Sequence, residues 1–170
     1  MHGWMAAVAL LLAGQSTVLS ASDGAQAFAR LQALAGEWEG TYEWMGARTG
    51  GGKMRATYYV TGNGSAVVEN LIVNGTPSMT SVYHLDNSQL RMTHYCAAGN
   101  QPRLKARSFD SQTGTVTFEY VDATNLASPD APHVDGLILR SPDPQHLELQ
   151  FSFKAGSKQS LERIALSRAK

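Results

Sequence analysis

The chain has 170 residues, with 14 Lys and Arg balancing 14 Asp and Glu, so its formal net charge is zero. The chain therefore lacks the excess of basic residues that a nucleic-acid-binding protein needs to neutralise phosphates. This argues against nucleic acid as a partner. Cys96 is the single cysteine, so an intramolecular disulfide is excluded. The length suits one domain with a sizeable core.

The first residues have the composition of a cleavable signal peptide. Met1–Trp4 carries no Lys or Arg, the apolar run Met5–Ala13 follows, and small residues occur at Ser20–Ser22. The run is well short of the ~20 apolar residues of a membrane-spanning helix. We therefore predict a signal peptide over residues 1–21, a mature domain over 22–170, and a periplasmic or secreted protein without a membrane span after cleavage.

A short amphipathic helix is predicted at the start of the mature domain. Asp23 can cap it, Phe28, Leu31 and Leu34 recur at near-helical spacing, and Gly36 ends it.

The rest of the chain alternates with period two between turn residues, which is typical of short β-strands. Ten strands are predicted, at Glu37–Trp44, Arg55–Thr61, Ser65–Val73, Met79–Leu85, Gln89–Cys96, Arg103–Phe109, Thr115–Val121, His133–Arg140, Leu147–Lys154 and Ser160–Ser167. The pattern predicts an all-β fold, an antiparallel up-and-down β-barrel of about 8–10 strands, with a flattened sandwich as the alternative. The longer breaks at Gly46–Lys53 and Asp122–Pro132 are predicted loops.

Three tight turns predict the strand pairing. Asn63-Gly64 and Asn74-Gly75 favour two-residue type I′ hairpins, and Asp86–Gln89 is a third polar turn. Directly opposed residues in such hairpins have a constant sum of residue numbers. Val68 is therefore expected opposite both Tyr59 and Ser81, and Ser81 opposite His94.

The same register predicts which side chains face inward. In the last hairpin the set from Met79 to Cys96 is the less polar one, so we assign it to the interior. Val67 and Leu71 then share the outer face with Glu69, and a bulge would reverse the assignment for Arg55–Thr61.

The predicted interior combines an apolar rim with a deeper polar group. The rim consists of Ile72, Leu85, Leu90 and Met92, and the polar group consists of Tyr59, Asn70, Ser81, Tyr83, His94 and Cys96. Unpaired buried polar atoms cost ~1–3 kcal/mol each, so the group implies a hydrogen-bond network, trapped water or a ligand. We assign these six residues as candidate ligand-binding residues, and a network without a ligand is the alternative.

His94 and Cys96 lie two residues apart and leave their strand on one face. Each could ligate a soft metal or haem iron, or the pair could activate a thiolate. Nucleophilic catalysis also needs a group to orient the imidazole and donors for an oxyanion, and the sequence identifies neither. No catalytic residue, metal ligand or cofactor is assigned, with haem kept as an alternative.

The run Leu34-Ala-Gly36-Glu-Trp38-Glu-Gly40 resembles the Gly-x-Trp signature that opens lipocalin and calycin barrels. The resemblance implies that Trp38 closes one barrel end beneath a basic side chain of the last strand, Arg163 first and Arg168 second. Nitrobindin-like relatives have a haem-ligating His, but this sequence lacks their longer glycine repeat after the Trp. The segments Tyr83–Asp86 and Thr93–Arg103 are similar to uncharacterised exported bacterial proteins.

These observations favour an exported protein that holds a small apolar or amphipathic molecule inside a β-barrel. A haem or metal protein or an enzyme using His94 and Cys96 is a second hypothesis. A structural or interaction domain without a ligand is the third.

Overall fold

The computed structural model describes residues 19–170, which form one helix and ten strands. The elements are α1 (Ala21–Gln32), β1 (Gly36–Gly46), β2 (Gly50–Thr61), β3 (Ala66–Val73), β4 (Thr76–Asp86), β5 (Gln89–Tyr95), β6 (Gln101–Asp110), β7 (Thr115–Thr124), β8 (His133–Asp143), β9 (His146–Ala155) and β10 (Lys158–Arg168). All ten predicted strands are present. Residues 1–18, and with them nearly all of the predicted signal peptide, lie outside the described part of the chain.

Each strand pairs antiparallel with the next, and β1 also pairs with β10, with Trp44 opposite Glu162. The sheet is therefore a closed up-and-down barrel, which confirms the predicted fold class and removes the sandwich alternative. Closure leaves no unpaired sheet edge and lets alternate residues of every strand form one interior core.

Helix α1 covers one end of the barrel. Its N-cap is Ser20, whose Oγ accepts a hydrogen bond from the backbone N of Asp23 (3.2 Å), so the predicted cap at Asp23 is wrong. Phe28 and Leu31 are buried against the barrel core. A Cβ at Gly24 would collide with the backbone oxygen of Ser88 in the β4–β5 turn. The helix can pack this closely on the turn because position 24 has no side chain. No helix within residues 19–170 is long and apolar enough to cross a membrane.

Trp38 and Arg168 complete this closed end. The Arg168 guanidinium lies 4.4 Å from the Trp38 ring centroid. Its Nη2 and Nη1 donate to the carbonyl oxygens of Ala33 (3.1 Å) and Ala35 (2.9 Å), at the end of α1 where carbonyls lack helical partners. The basic residue at Trp38 is therefore Arg168. The first choice, Arg163, was wrong, because odd-numbered positions of β10 point outward.

The tight turns adopt the predicted backbone. Asn63, Asn74 and Asn87 all have φ of 53° to 54°, in the left-handed region. The predicted loop at Gly46–Lys53 is wrong in extent, because β1 continues to Gly46 and β2 begins at Gly50, leaving three connecting residues. The predicted loop at Asp122–Pro132 is shorter too, since β7 runs to Thr124.

A bulge between β3 and β4 shifts the register by one residue. Val68 lies opposite Tyr59 as predicted, but on its other side it lies opposite Val82 rather than Ser81. The shift occurs between Leu71 and Ile72, where Ser78 is the extra residue of β4. A one-residue shift exchanges the two faces of a strand, so the inner-face prediction holds for β4 and β5 and is reversed for β2 and β3.

Candidate functional site

Two predicted site residues lie on the wrong side of the barrel wall. Tyr59 points outward and is 48% exposed. Asn70 is half-buried on the outer face, where its Nδ2 donates to Thr57 Oγ1 (3.3 Å) and its Oδ1 accepts from Thr80 Oγ1 (2.8 Å). Neither side chain can contact a ligand inside the barrel.

Ser81, Tyr83 and His94 face the interior as predicted, and all three are fully buried. They meet two residues that the sequence analysis missed, Tyr58 and Glu69. Tyr58 lies opposite Glu69, Glu69 opposite Ser81, and Ser81 opposite His94, so the row crosses four neighbouring strands. The apolar alternation of β3 is the sequence signal for this face, since Val67 and Leu71 share it with Glu69.

Glu69 is the acceptor at the centre of this row. Its Oε2 accepts from the hydroxyls of Tyr58 and Tyr83 (2.9 Å for Tyr83), and its Oε1 accepts from Ser81 Oγ (3.1 Å). Burial raises the pKa of Glu69, while the three hydroxyl donors oppose that rise. Burial and the adjacent carboxyl raise the pKa of both tyrosines well above the ordinary value, so both remain proton donors.

The charge of the His94 imidazole and the position of its proton depend on its burial and on its hydrogen bond with Ser81. Ser81 Oγ lies 2.9 Å from His94 Nδ1, and burial lowers the pKa of His94 to about 4, so the imidazole is neutral near pH 7. When Glu69 is ionised, Ser81 Oγ donates its one hydrogen to Glu69 and accepts from His94 Nδ1–H, which leaves Nε2 unprotonated. His94 Nε2 is buried and has no hydrogen-bond partner among residues 19–170. The side chains of the row are therefore hydrogen-bonded to one another, and His94 Nε2 is the atom of the row that lacks a partner within the described residues.

The opposite barrel end contains an open pocket of about 220 Å³, which we call the mouth pocket. It is lined by Tyr42, Trp44, Arg48, Met54, Val73, Ser78, Met79, Cys96, Ala97, Ala98, Pro132, Phe153 and Glu162. Most of these side chains are aromatic, aliphatic or thioether groups. The other four are Arg48, Ser78, Cys96 and Glu162. Apolar walls with a few placed polar groups are typical of small-molecule sites.

Glu162 is the buried carboxyl of the mouth pocket. It is 2% exposed, and its Oε2 has no hydrogen-bond partner within the described residues. Its neighbours across the sheet are Trp44 and Phe151, which carry no charge. Burial raises the pKa of Glu162 to about 7, with Arg48 acting in the opposite direction. This carboxyl therefore exchanges its proton in the physiological range.

Arg48 lies over the pocket from the β1–β2 connection. Its guanidinium carbon is 3.7 Å from the Trp44 ring centroid, a cation–π contact, and Trp44 packs on Phe153 with centroids 4.7 Å apart. The backbone N of Arg48 donates to Ser160 Oγ (3.1 Å), which ties the connection to β10. The result is a positively charged group fixed on an aromatic wall.

Cys96 lines the mouth pocket from the turn after β5. Its backbone N donates to Asn100 O (3.0 Å), Gly99 N donates to its carbonyl (2.9 Å), and Ala98 N lies 3.5 Å from Sγ. Asn100 Nδ2 also donates to Pro132 O (2.8 Å), which joins this turn to the β7–β8 connection. Burial raises the pKa of the Cys96 thiol, so it is neutral near pH 7.

The positions of the apolar rim and the deeper polar group along the barrel axis are therefore the reverse of those predicted. Leu85 and Leu90 flank the β4–β5 turn beneath α1, at the closed end, and do not form an open rim. Cys96, placed deep by the prediction, lies at the mouth. His94 and Cys96 occupy different levels, since the described lining of the mouth pocket includes Cys96 and not His94. Glu162 and Arg48 were missed because their roles depend on barrel closure.

Among residues 19–170, no three His, Cys, Asp or Glu side chains come together in an arrangement that could hold a metal ion. His94 and Cys96 do not share one pocket, because Phe151 packs on the His94 ring (5.1 Å between centroids) and, of the two, only Cys96 lines the mouth pocket.

No protein-family model matches the chain, and no curated protein matches its sequence. Solved structures similar to it include Rv2717c from M. tuberculosis, with 15% identity and a TM-score of 0.57 over 85% of this chain and 98% of that one. A redesigned β-barrel is 11% identical, with a TM-score of 0.39 over 83% of this chain and 96% of that one. The likeness to the mycobacterial protein supports the barrel fold alone.

Proposed function

We propose that this chain is an exported small-molecule-binding protein that holds a mostly apolar ligand in the mouth pocket. The observation that carries the proposal is the buried Oε2 of Glu162, which lacks a hydrogen-bond partner among the described residues and lies in a pocket lined by aromatic and thioether groups. Leaving such an oxygen unpaired costs about 1–3 kcal/mol, which a bound polar head would offset.

The pocket walls indicate an apolar ligand body. Tyr42, Trp44 and Phe153 supply aromatic surface, and Met54 and Met79 supply flexible thioethers that adapt to different shapes. A volume of about 220 Å³ is below the ~300–1,000 Å³ of drug-sized sites, which favours a ligand with few heavy atoms.

This proposal replaces the ligand contacts first expected from the sequence. Of those six residues, Cys96 lines the mouth pocket, whereas Ser81, Tyr83 and His94 stabilise the barrel around Glu69. A domain without a ligand is less consistent with the open carboxyl at Glu162. Export rests on the composition of residues 1–21.

The single thiol provides a direct test. Because Cys96 is the only cysteine, alkylation by iodoacetamide reports occupancy of the mouth pocket. We expect protein purified from its native compartment to carry a small molecule detectable by native mass spectrometry, and refolded, ligand-free protein to alkylate faster than loaded protein.

A blocking variant controls for non-specific effects. Ala98→Trp should fill the mouth pocket and abolish co-purification, whereas Tyr59→Trp on the outer wall should not. Absence of any bound molecule, together with equal alkylation rates before and after refolding, would overturn the proposal.

A further inference from the structure

We propose, building on the proposed function, that the ligand is a small apolar acid whose anionic head lies between the Arg48 guanidinium and the Glu162 carboxyl, with Glu162 donating a hydrogen bond to it. The apolar body of the ligand lies against the aromatic wall already described.

The charges around the pocket indicate an anion. The titratable groups that line it with Glu162 are Tyr42 from β1, Arg48 from the β1–β2 connection and Cys96 from the turn after β5. Arginine stays protonated at any physiological pH, and its planar fork matches a carboxylate. Burial keeps the thiol neutral, so with Glu162 protonated the pocket has a net positive charge.

Glu162 is suited to donate rather than to accept. Its surroundings are apolar, because its ladder partners are Trp44 and Phe151, and its Oε2 lacks a partner in the described residues. Desolvation favours the neutral acid, whose O–H then needs an acceptor. A ligand carboxylate supplies that acceptor and pairs with Arg48 at the same time.

Other head groups satisfy the site less well. An amine would require ionised Glu162 in a buried position and would lie near the positive Arg48. An alcohol could pair with Oε2 but would leave the guanidinium without an anion. The acid is the one head group of the three that both polar residues favour.

Binding should therefore be linked to a proton. The anionic ligand needs protonated Glu162, so its dissociation constant should rise by up to about tenfold for each pH unit above 7. An amine would show the opposite trend. A neutral ligand would show little dependence on pH.

Three probes of equal chain length separate these cases: octanoic acid, 1-octanol and octylamine, measured by calorimetry on the ligand-free protein at pH 6, 7 and 8.5. We expect octanoate to bind most tightly at pH 6 and at least tenfold more weakly at pH 8.5. Glu162→Gln keeps a donor but cannot titrate, so octanoate should bind it with nearly constant affinity across this range. Arg48→Gln should weaken octanoate at least tenfold and leave 1-octanol unchanged.

Matched controls lie on the outer wall of the barrel, Glu43 on β1 and Arg163 beside Glu162 on β10. Glu43→Gln and Arg163→Gln are exposed and should leave every dissociation constant and its pH dependence unchanged. Octanol binding as tightly as octanoate, or tighter octylamine binding at high pH, would overturn this inference and leave the proposed function standing. If none of the three displaces the native ligand or binds, the mouth pocket is not an apolar-ligand site and both proposals fail.

Discussion

Arg168 lies with its guanidinium carbon 4.4 Å from the centroid of the Trp38 ring, so the last strand stacks on the first at the closed end of the barrel. The same side chain donates to Ala33 O, Ala35 O and Pro144 O. One planar cation therefore ties together the end of α1, β1 and the β8–β9 turn.

Arg168→Lys should lower the free energy of unfolding by about 2–4 kcal/mol, because an ammonium group cannot stack on the indole and reach three carbonyl groups at once. Urea unfolding followed by tryptophan fluorescence measures the change. Arg163→Lys, on the outer face of the same strand, is the control and should change stability by less than about 0.5 kcal/mol. Equal effects of the two exchanges would contradict a closing role for Arg168.

Tyr83→Phe should destabilise the barrel by about 1–2 kcal/mol, because it removes one of three hydroxyl donors to the buried Glu69. Tyr58→Phe should behave similarly. The double variant should deviate from additivity, since both hydroxyls bond the same oxygen. Tyr59→Phe, on the exposed outer wall, is the matched control, and a loss there as large as at Tyr83 would contradict the described orientation of β2.

His94 should make the protein sensitive to acid. Its pKa is lowered to about 4 in the folded state, so the unfolded chain binds the proton first and stability falls as pH drops from 6.5 towards 4. Relative to His94→Gln, the wild type should lose about 3 kcal/mol between pH 7 and pH 4. The same exchange at His84, on the outer face of β4, is the control. A stability difference between wild type and His94→Gln that does not vary with pH would contradict the neutral, buried imidazole.

Glu162 should have the opposite effect on the pH dependence of stability. Its pKa is raised to about 7 in the folded state, so its contribution to stability is complete below pH 4.5 and is lost as pH rises through 7. In ligand-free protein, the free energy of unfolding of Glu162→Gln relative to wild type should therefore rise by about 3 kcal/mol between pH 4.5 and pH 8. Melting temperatures across this range measure it, with Glu43→Gln as the control. A constant gap between variant and wild type would show that Glu162 is not desolvated.

Deletion of Ser78 should unfold the barrel, because removing the extra residue of the bulge shifts β3 against β4 and turns one of the two strands inside out. Ser78→Ala keeps the residue count and loses only the hydrogen bond from Oγ to Leu71 O (3.1 Å), so it should cost about 1 kcal/mol. Circular dichroism and urea unfolding distinguish the two. A deletion variant as stable as Ser78→Ala would contradict the register described here.

The sequence predicts the secondary structure of this chain well because its signals are local. Period-two alternation and the asparagine turns at Asn63 and Asn74 act over a few residues, and all ten predicted strands are present. The pairing of Ser81 with His94 follows from the Asp86–Gln89 turn between β4 and β5. These parts of the site could be predicted because no bulge lies between the turn and the residues concerned.

The faces of β2 and β3 were predicted the wrong way round because one extra residue shifts the register of β3 against β4. Ser78 is inserted beside an otherwise regular hairpin, directly after Pro77, and proline inside a strand occurs mainly at edges and bulges. That one residue turns Glu69 inward and Tyr59 outward, which changes the site more than any turn does.

The amino-acid sequence alone therefore determined the number and order of the strands and how neighbouring hairpins bend, since these depend on backbone preferences of adjacent residues. Only the tertiary structure decided that Glu69 lies at the centre of a hydrogen-bonded row and that Glu162 and Arg48 line the same pocket at the mouth. Both outcomes require strands far apart in the chain to close into a ring, because closure is what removes water from the two carboxyl groups and sets their protonation.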